Sequence, residues 1–125
     1  VILLQPTSPL RKSVHIDEAL ELLIKKNAAA IISVVETDHS PLWSNTLPKD
    51  RSMVNFLKNE VLNKRSQDLV KYYRLNGAIY ICKWDVFIDD RSFYKRNCHP
   101  FIMEKKFSLD IDTVEDWKYA EYLLK

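Results

Sequence analysis

Residues 1–35 read VILLQPTSPLRKSVHIDEALELLIKKNAAAIISVV, and this stretch decides the fold. Val1 to Leu4 is a continuous apolar run, the pattern of a parallel strand buried on both faces. Pro6 and Pro9 then impose a loop, because proline neither donates to a ladder nor continues a helix. A helix follows, beginning at Ser13 or His15 and running to about Asn27. Its apolar positions Ile16, Ala19, Leu20, Leu23 and Ile24 recur at helical spacing. Asp17 and Glu18 near its start, with Lys25 and Lys26 near its end, complement the macrodipole. Ala29 to Val35, rich in Ile and Val, reads as a second buried strand. Strand, crossover helix and strand make a βαβ unit, hence a parallel sheet and the α/β class. Ligands of such sheets bind beyond the carboxyl ends of the strands. That places Gln5 and the Ser8–Arg11 loop at the ligand-binding edge.

Further along, Ala78 to Cys82 reads as a strand, Trp84 to Asp89 as a short helix and Phe101 to Met103 as another strand. Asp112 or Thr113 caps a last helix, Asp116 completing a capping-box pair with Thr113. Trp117, Ala120 and Leu124 would form that helix's buried stripe, with Glu121 at the stripe's edge. Between Asp38 and Leu75, Pro41, Pro48 and scattered charges break the periodicity. This segment is expected to leave the main sheet as an extended arm or hairpin, with a short helix at Val54 to Leu62.

A chain of 125 residues, 46% hydrophobic and 29% charged, suits one globular domain with a real core. A net charge of +2, with both signs interspersed, gives no pull toward nucleic acid or membrane. Val1–Leu4 is too short to span a bilayer and lacks the basic flank of a signal peptide. Cys82 and Cys98 supply neither a disulfide framework nor zinc spacing, and Cys98-His99 has no second Cys/His pair, so a reduced, cytoplasmic setting is expected. Gly77 is the single glycine, where average usage would give about nine. A self-contained glycine-rich phosphate loop is therefore excluded within these residues. Val1 is not an initiator methionine, so a longer parent chain is expected.

Asp110-Ile111-Asp112 is the sharpest chemical signal. After the strand-like Phe107-Ser108-Leu109, alternation would point both carboxylates to one face. Two carboxylates that close repel unless a cation sits between them, and Mg²⁺ suits a site that meets phosphates. The plainer reading is a strand end with Asp112 as helix cap. In Asn76-Gly77-Ala78-Ile79-Tyr80 the glycine permits close backbone approach and the amide both donates and accepts, although Asn-Gly is also a favoured turn dipeptide. Gln5 can read a base or sugar edge, and Arg11 can contact anionic groups or serve as a surface charge. Phe93-Tyr94 is an aromatic pair suited to core packing or to a sugar-facing wall. His15, His39 and His99 are isolated and read as surface or packing residues.

Taken in order, the QPTSPLR segment at Gln5–Arg11, NGAIY at Asn76–Tyr80 and SLDIDTVEDW at Ser108–Trp117 resemble the CMP-N-acylneuraminate cytidylyltransferases, which activate sialic acids with CTP. The resemblance implies a nucleotide-diphospho-sugar-transferase-like α/β fold: a mixed, mainly parallel sheet flanked by helices. It also implies an arm, here Pro41 to Leu75, exchanged in a homodimer. By the same resemblance Gln5 and Asn76 hold nucleotide or sugar, Tyr80, Phe93 and Tyr94 line the sugar pocket, and Asp110 and Asp112 hold Mg²⁺. Departures are the missing basic, glycine-containing N-terminal loop, Val70 where proline often stands, and Trp43 in place of a lysine. Residues 1–125 are thus expected to be one N-terminally incomplete cytidylyltransferase domain taking CTP and an acidic nine-carbon sugar, without nucleic-acid or membrane partners. Two alternatives remain at this level. One is a non-catalytic dimerisation module. The other is a haloacid-dehalogenase-type phosphatase with Asp110 as nucleophile and Asp112 as acid/base, although that motif opens a domain and here a single helix follows it.

Overall fold

A computed structural model describes residues 1–125. Its elements are β1 (Ile2–Leu3), α1 (Ser13–Lys25), β2 (Ala30–Glu36), β3 (Tyr73–Cys82), α2 (Trp84–Asp90), β4 (Cys98–Ile102) and α3 (Val114–Leu123). The four strands form one mixed sheet in the order β1-β3-β2-β4. β1 runs antiparallel to β3, with Ile2 opposite Ile81 and Leu3 opposite Tyr80. β2 runs parallel to β4, from Ala30 opposite Cys98 to Val34 opposite Ile102. β3 therefore lies between the two strands of the expected βαβ unit.

The inner strands carry the core. Ile31 and Ile79 are fully buried, and with Ala19, Leu23, Ala28, Ala78, Ile81 and Met103 they form one apolar cluster. Burying each isoleucine contributes about 1.5–3 kcal/mol. α1 presents Ala19 and Leu23 to this cluster, with Ile16 and Leu20 half-buried, while Ile24 faces solvent. The helix opens with the Lys12 N–H donating to His15 Nδ1 at 3.1 Å and ends where Asn27 turns left-handed at φ 44°. Its first turn holds no acidic residue, so only Lys25 at the far end complements the dipole.

Three expectations need correction here. Val1–Leu4 is not buried on both faces: each residue is 36–45% exposed, because β1 is an edge strand with β3 on one side only. The last helix does carry the expected cap, Thr113 Oγ1 accepting from the Asp116 N–H at 3.2 Å and Asp116 Oδ2 from the Thr113 N–H at 2.8 Å. Its stripe is not buried, however; α3 packs through the small Ala120, leaving Trp117 57% and Leu124 65% exposed. Phe107–Leu109 is not a strand, since Lys105–Phe107 winds into a single 3-10 turn.

The chain divides into two compact units, Val1–Val35 with Arg74–Lys125, and Glu36–Tyr73. The second is closed at its base by the Thr37 N–H and hydroxyl, both donating to Tyr72 O, and by a Lys71–Glu36 ion pair at 3.2 Å. Val54–Leu62 forms successive turns rather than a helix, with i→i+3 bonds such as Phe56 N–H to Met53 O. Val61 alone in that stretch is buried, too little apolar face to hold a helix. No helix of either unit is long and apolar enough to cross a membrane.

Candidate functional site

Every candidate residue lies in the unit formed by residues 1–35 and 74–125. The Asn76-Gly77 pair is not a turn but sits inside β3. Gly77 has φ +71°, a conformation that side chains rarely adopt, and a Cβ there would collide with Gln5 Oε1. The glycine thus lets the Gln5 side chain lie against the strand. The Gln5 amide has no hydrogen-bond partner within the chain, which leaves it free for a ligand.

The loop carrying Gln5 is pinned to β3. Arg11 Nη1 donates to Ala78 O at 2.7 Å and to Gln5 O at 3.3 Å, and the Ser8 hydroxyl donates to Asn76 O at 3.2 Å. Burial lowers the Arg11 pKa, yet guanidinium stays charged in proteins. Asn76 is 1% exposed, and its amide is spent internally. Its Oδ1 accepts from Ser33 Oγ (2.6 Å) and from the Ala78 N–H (3.2 Å), and its Nδ2 donates to Ser108 Oγ (3.0 Å) and Met103 Sδ (3.4 Å). The side chain orders the fold beneath the loop and presents nothing outward.

Residues 108–112 run in irregular chain, anchored where the Ile111 N–H donates to Thr7 O at 2.9 Å. That bond brings the backbone between the two aspartates to the first loop. Asp110 is half-buried and Asp112 exposed. Asp110 Oδ1 is fully buried and has no hydrogen-bond partner, a costly state unless something else meets it. No group of three or more His, Cys, Asp or Glu side chains gathers anywhere in the chain. Two carboxylates are nonetheless a fitting donor set for Mg²⁺, a hard cation that usually keeps waters and substrate phosphates as its other ligands.

The aromatic residues close the cluster. The Tyr80 and Phe93 rings lie 5.6 Å apart, and Phe93 rests on Phe87 of α2 at 5.0 Å. Tyr94 is 63% exposed. Burial, with Tyr94 and Asp110 adding repulsion, raises the Tyr80 phenol above its ordinary pKa. The loop bearing the pair is tied by Lys95 to Asp90, whose carboxylate also accepts the Ser92 N–H at 2.9 Å. Gln5, Arg11, Asn76, Tyr80, Phe93, Tyr94, Asp110 and Asp112 are therefore linked through this one unit. Sequence alone marked Ser8 only as the start of the loop at the ligand-binding edge, and gave Ser33 and Ser108 no role. Ser33 did leave a trace, as the one polar residue in the apolar run Ala30-Ile31-Ile32-Ser33-Val34-Val35.

Likeness to known proteins gives the class: the chain resembles sugar-acid cytidylyltransferases along nearly all its length. It is 35% identical over 116 residues to N-acylneuraminate cytidylyltransferase of Streptococcus agalactiae serotype V, covering 93% of the chain and 28% of that protein. It is 36% identical to CMP-N,N'-diacetyllegionaminic acid synthase of Legionella pneumophila, covering all of the chain and 53% of that protein. These homologues, 35–36% identical over 93–100% of the chain, carry names of the family that its three motifs resemble. A pseudaminic acid cytidylyltransferase of Campylobacter jejuni is 25% identical over the whole chain and 53% of its own length. No family model matches the chain. The chain spans between about a quarter and a half of the relatives' lengths.

Proposed function

We propose that the chain serves transfer of a cytidylyl group from CTP to an acidic nine-carbon sugar, yielding a CMP-sugar and pyrophosphate. The observation that carries this reading is the buried, unpartnered Asp110 Oδ1, joined through Ile111 and Thr7 to the loop that holds a free Gln5 amide. The relatives' names give the cytidylyl group and the sugar-acid class. Asp110 and Asp112 would hold Mg²⁺, which when bound offsets phosphate charge. The sugar's anomeric hydroxyl attacks the α-phosphorus, the bond to the bridging oxygen breaks, and pyrophosphate leaves with that electron pair. The hydroxyl proton passes to solvent, because no side chain at the site is an evident base. Catalysis then rests on positioning. Gln5 orients a base or sugar edge, Tyr80, Phe93 and Tyr94 wall the sugar, and Asn76 and Arg11 keep loop and strand in register. Residues 41–75 would serve as the arm of a homodimer, and the two free thiols suit a reducing cytoplasm.

The test is Mg²⁺-dependent pyrophosphate release from CTP in the presence of sialic, legionaminic or pseudaminic acid. Asp112→Ala is expected to lower it about a hundredfold or more, and turnover undiminished by that change rejects the role of the pair. A second reading has one observation in its favour: Gly77 is the only glycine, so the triphosphate grip of such a reaction lies outside these residues. On that reading the chain binds metal and dimerises but releases no pyrophosphate by itself.

A further inference from the structure

We infer that Ser108 is a positioning residue for the carboxylate pair, tying the Asp110–Asp112 segment to Asn76 of β3. The inference rests on the reading that Asp110 and Asp112 take a divalent cation. Ser108 is 1% exposed, and its hydroxyl is used twice: it accepts from Asn76 Nδ2 at 3.0 Å and donates to Glu104 O at 2.9 Å. Asn76 is itself locked from the far side by Ser33 of β2, at 2.6 Å, whose hydroxyl oxygen also accepts the Ile79 N–H at 2.7 Å. An unbroken line of buried hydrogen bonds thus runs from two inner strands of the sheet to a point two residues before Asp110.

Nothing else regular holds that segment. Residues 108–112 belong to no strand, and the buried Asp110 Oδ1 meets no hydrogen-bond partner. Its place is set by anchors on either side: the Ser108 hydroxyl before it, and after it the Ile111 N–H on Thr7 O and the Asp112 N–H on Asp116 Oδ2 at 3.1 Å. A cation that demands near-octahedral geometry from two carboxylates needs them held to about half an ångström. Removing the Ser108 hydroxyl deletes no ligand but releases the buried side-chain anchor that precedes Asp110. The Asn76 amide, which could have been taken for a ligand contact, then acts on the site through Ser108.

Mn²⁺ serves as the probe, titrated into the 125-residue chain by electron paramagnetic resonance with Mg²⁺ as competitor, alongside hydrogen exchange of the Ile111 amide. Ser108→Ala is expected to weaken Mn²⁺ about tenfold, as loss of an outer-sphere partner does, and to speed Ile111 exchange while the Ile31 amide stays protected. Ser108→Thr, which keeps the hydroxyl, should bind as the unsubstituted chain does. Leu23→Ala, a core cavity on α1, should cost stability without changing Mn²⁺ affinity. Unchanged Mn²⁺ affinity in Ser108→Ala overturns the inference, and so does an equal loss in Leu23→Ala. If Asp112→Ala binds Mn²⁺ as well as the unsubstituted chain, the metal reading itself fails and the inference with it. That outcome is distinct from one in which Asp112 matters and Ser108 does not.

Discussion

Residues 74–82 and 103–112 differ from residues 36–73 in where their polar atoms end. In the first region Asn76 meets Ser33, Ser108, Met103 and Ala78, all inside the fold and up to 43 positions away in sequence. In the second, apart from the Thr37–Tyr72 and Lys71–Glu36 closure at its base, the bonds are local and at the surface: Asn45 to Phe56 O, Ser52 N–H to Asp50, Val54 N–H to Ser52 and Arg65 to Asp68. Apolar side chains follow the same division. Ala78 and Ile79 are fully buried, whereas Val54 is 86% and Val70 70% exposed. A network of long-range buried bonds fixes geometry, because each broken bond strands a partner; local surface bonds are replaced by water at little cost. The first region is therefore where positioned chemistry can reside, and a single unsatisfied atom, Asp110 Oδ1, stands out against it.

Substitutions can break this contrast at several levels. The largest effect is expected for Asn76→Ala, which orphans Ser33 and Ser108 at once and should cost about 3 kcal/mol in urea denaturation. A loss below about 1 kcal/mol would mean that the network is not what holds the region. Gly77→Ala comes next. It forces a side chain to φ +71° and into Gln5, and should cost about 2 kcal/mol, with any CTP affinity falling in parallel because Gln5 is displaced. Thr113→Ala removes the α3 cap and should cost about 1 kcal/mol of stability.

That cap also carries a pH signature. The Thr113 hydroxyl and N–H and the Asp112 N–H hold Asp116 below its ordinary pKa. Its contribution is present above the unfolded value near 4 and is lost as pH falls through the lower folded value. Circular dichroism between pH 5 and 2 should show α3 weakening, and Thr113→Ala should flatten that dependence. Smallest of all, Val54→Ser in the second unit should change stability by no more than about 0.5 kcal/mol. A loss there as large as that of Asn76→Ala would erase the contrast.

Sequence periodicity located α1, β2 and α2 to within a few residues, and the Thr113–Asp116 pair marked the start of α3 outright. Those signals are local: helical spacing, β-branched runs and a capping box. What could not be read locally is what the sheet order decides. Val1–Leu4 looks like any buried parallel strand, and only its edge position exposes it. Asn-Gly looks like a turn, and only the Gln5 side chain against Gly77 explains a left-handed glycine within a strand. The candidate site was legible as three motifs whose spatial union rests on Thr7–Ile111, Ser8–Asn76 and Arg11–Ala78, contacts that span more than 60 residues each. Ser8 and Ser108 lie inside those motifs and Ser33 in none, but their role in the network is not legible, since a buried hydroxyl is recognised by its partners alone.

The most direct test of the carboxylate pair as the metal and phosphate end of the site is calorimetric titration of CTP into the chain, with and without Mg²⁺, for the unsubstituted protein and Asp112→Ala. The account predicts CTP binding that requires Mg²⁺ and disappears in Asp112→Ala while the circular dichroism spectrum is unchanged. CTP binding of equal strength without Mg²⁺, or retained in Asp112→Ala, would contradict it.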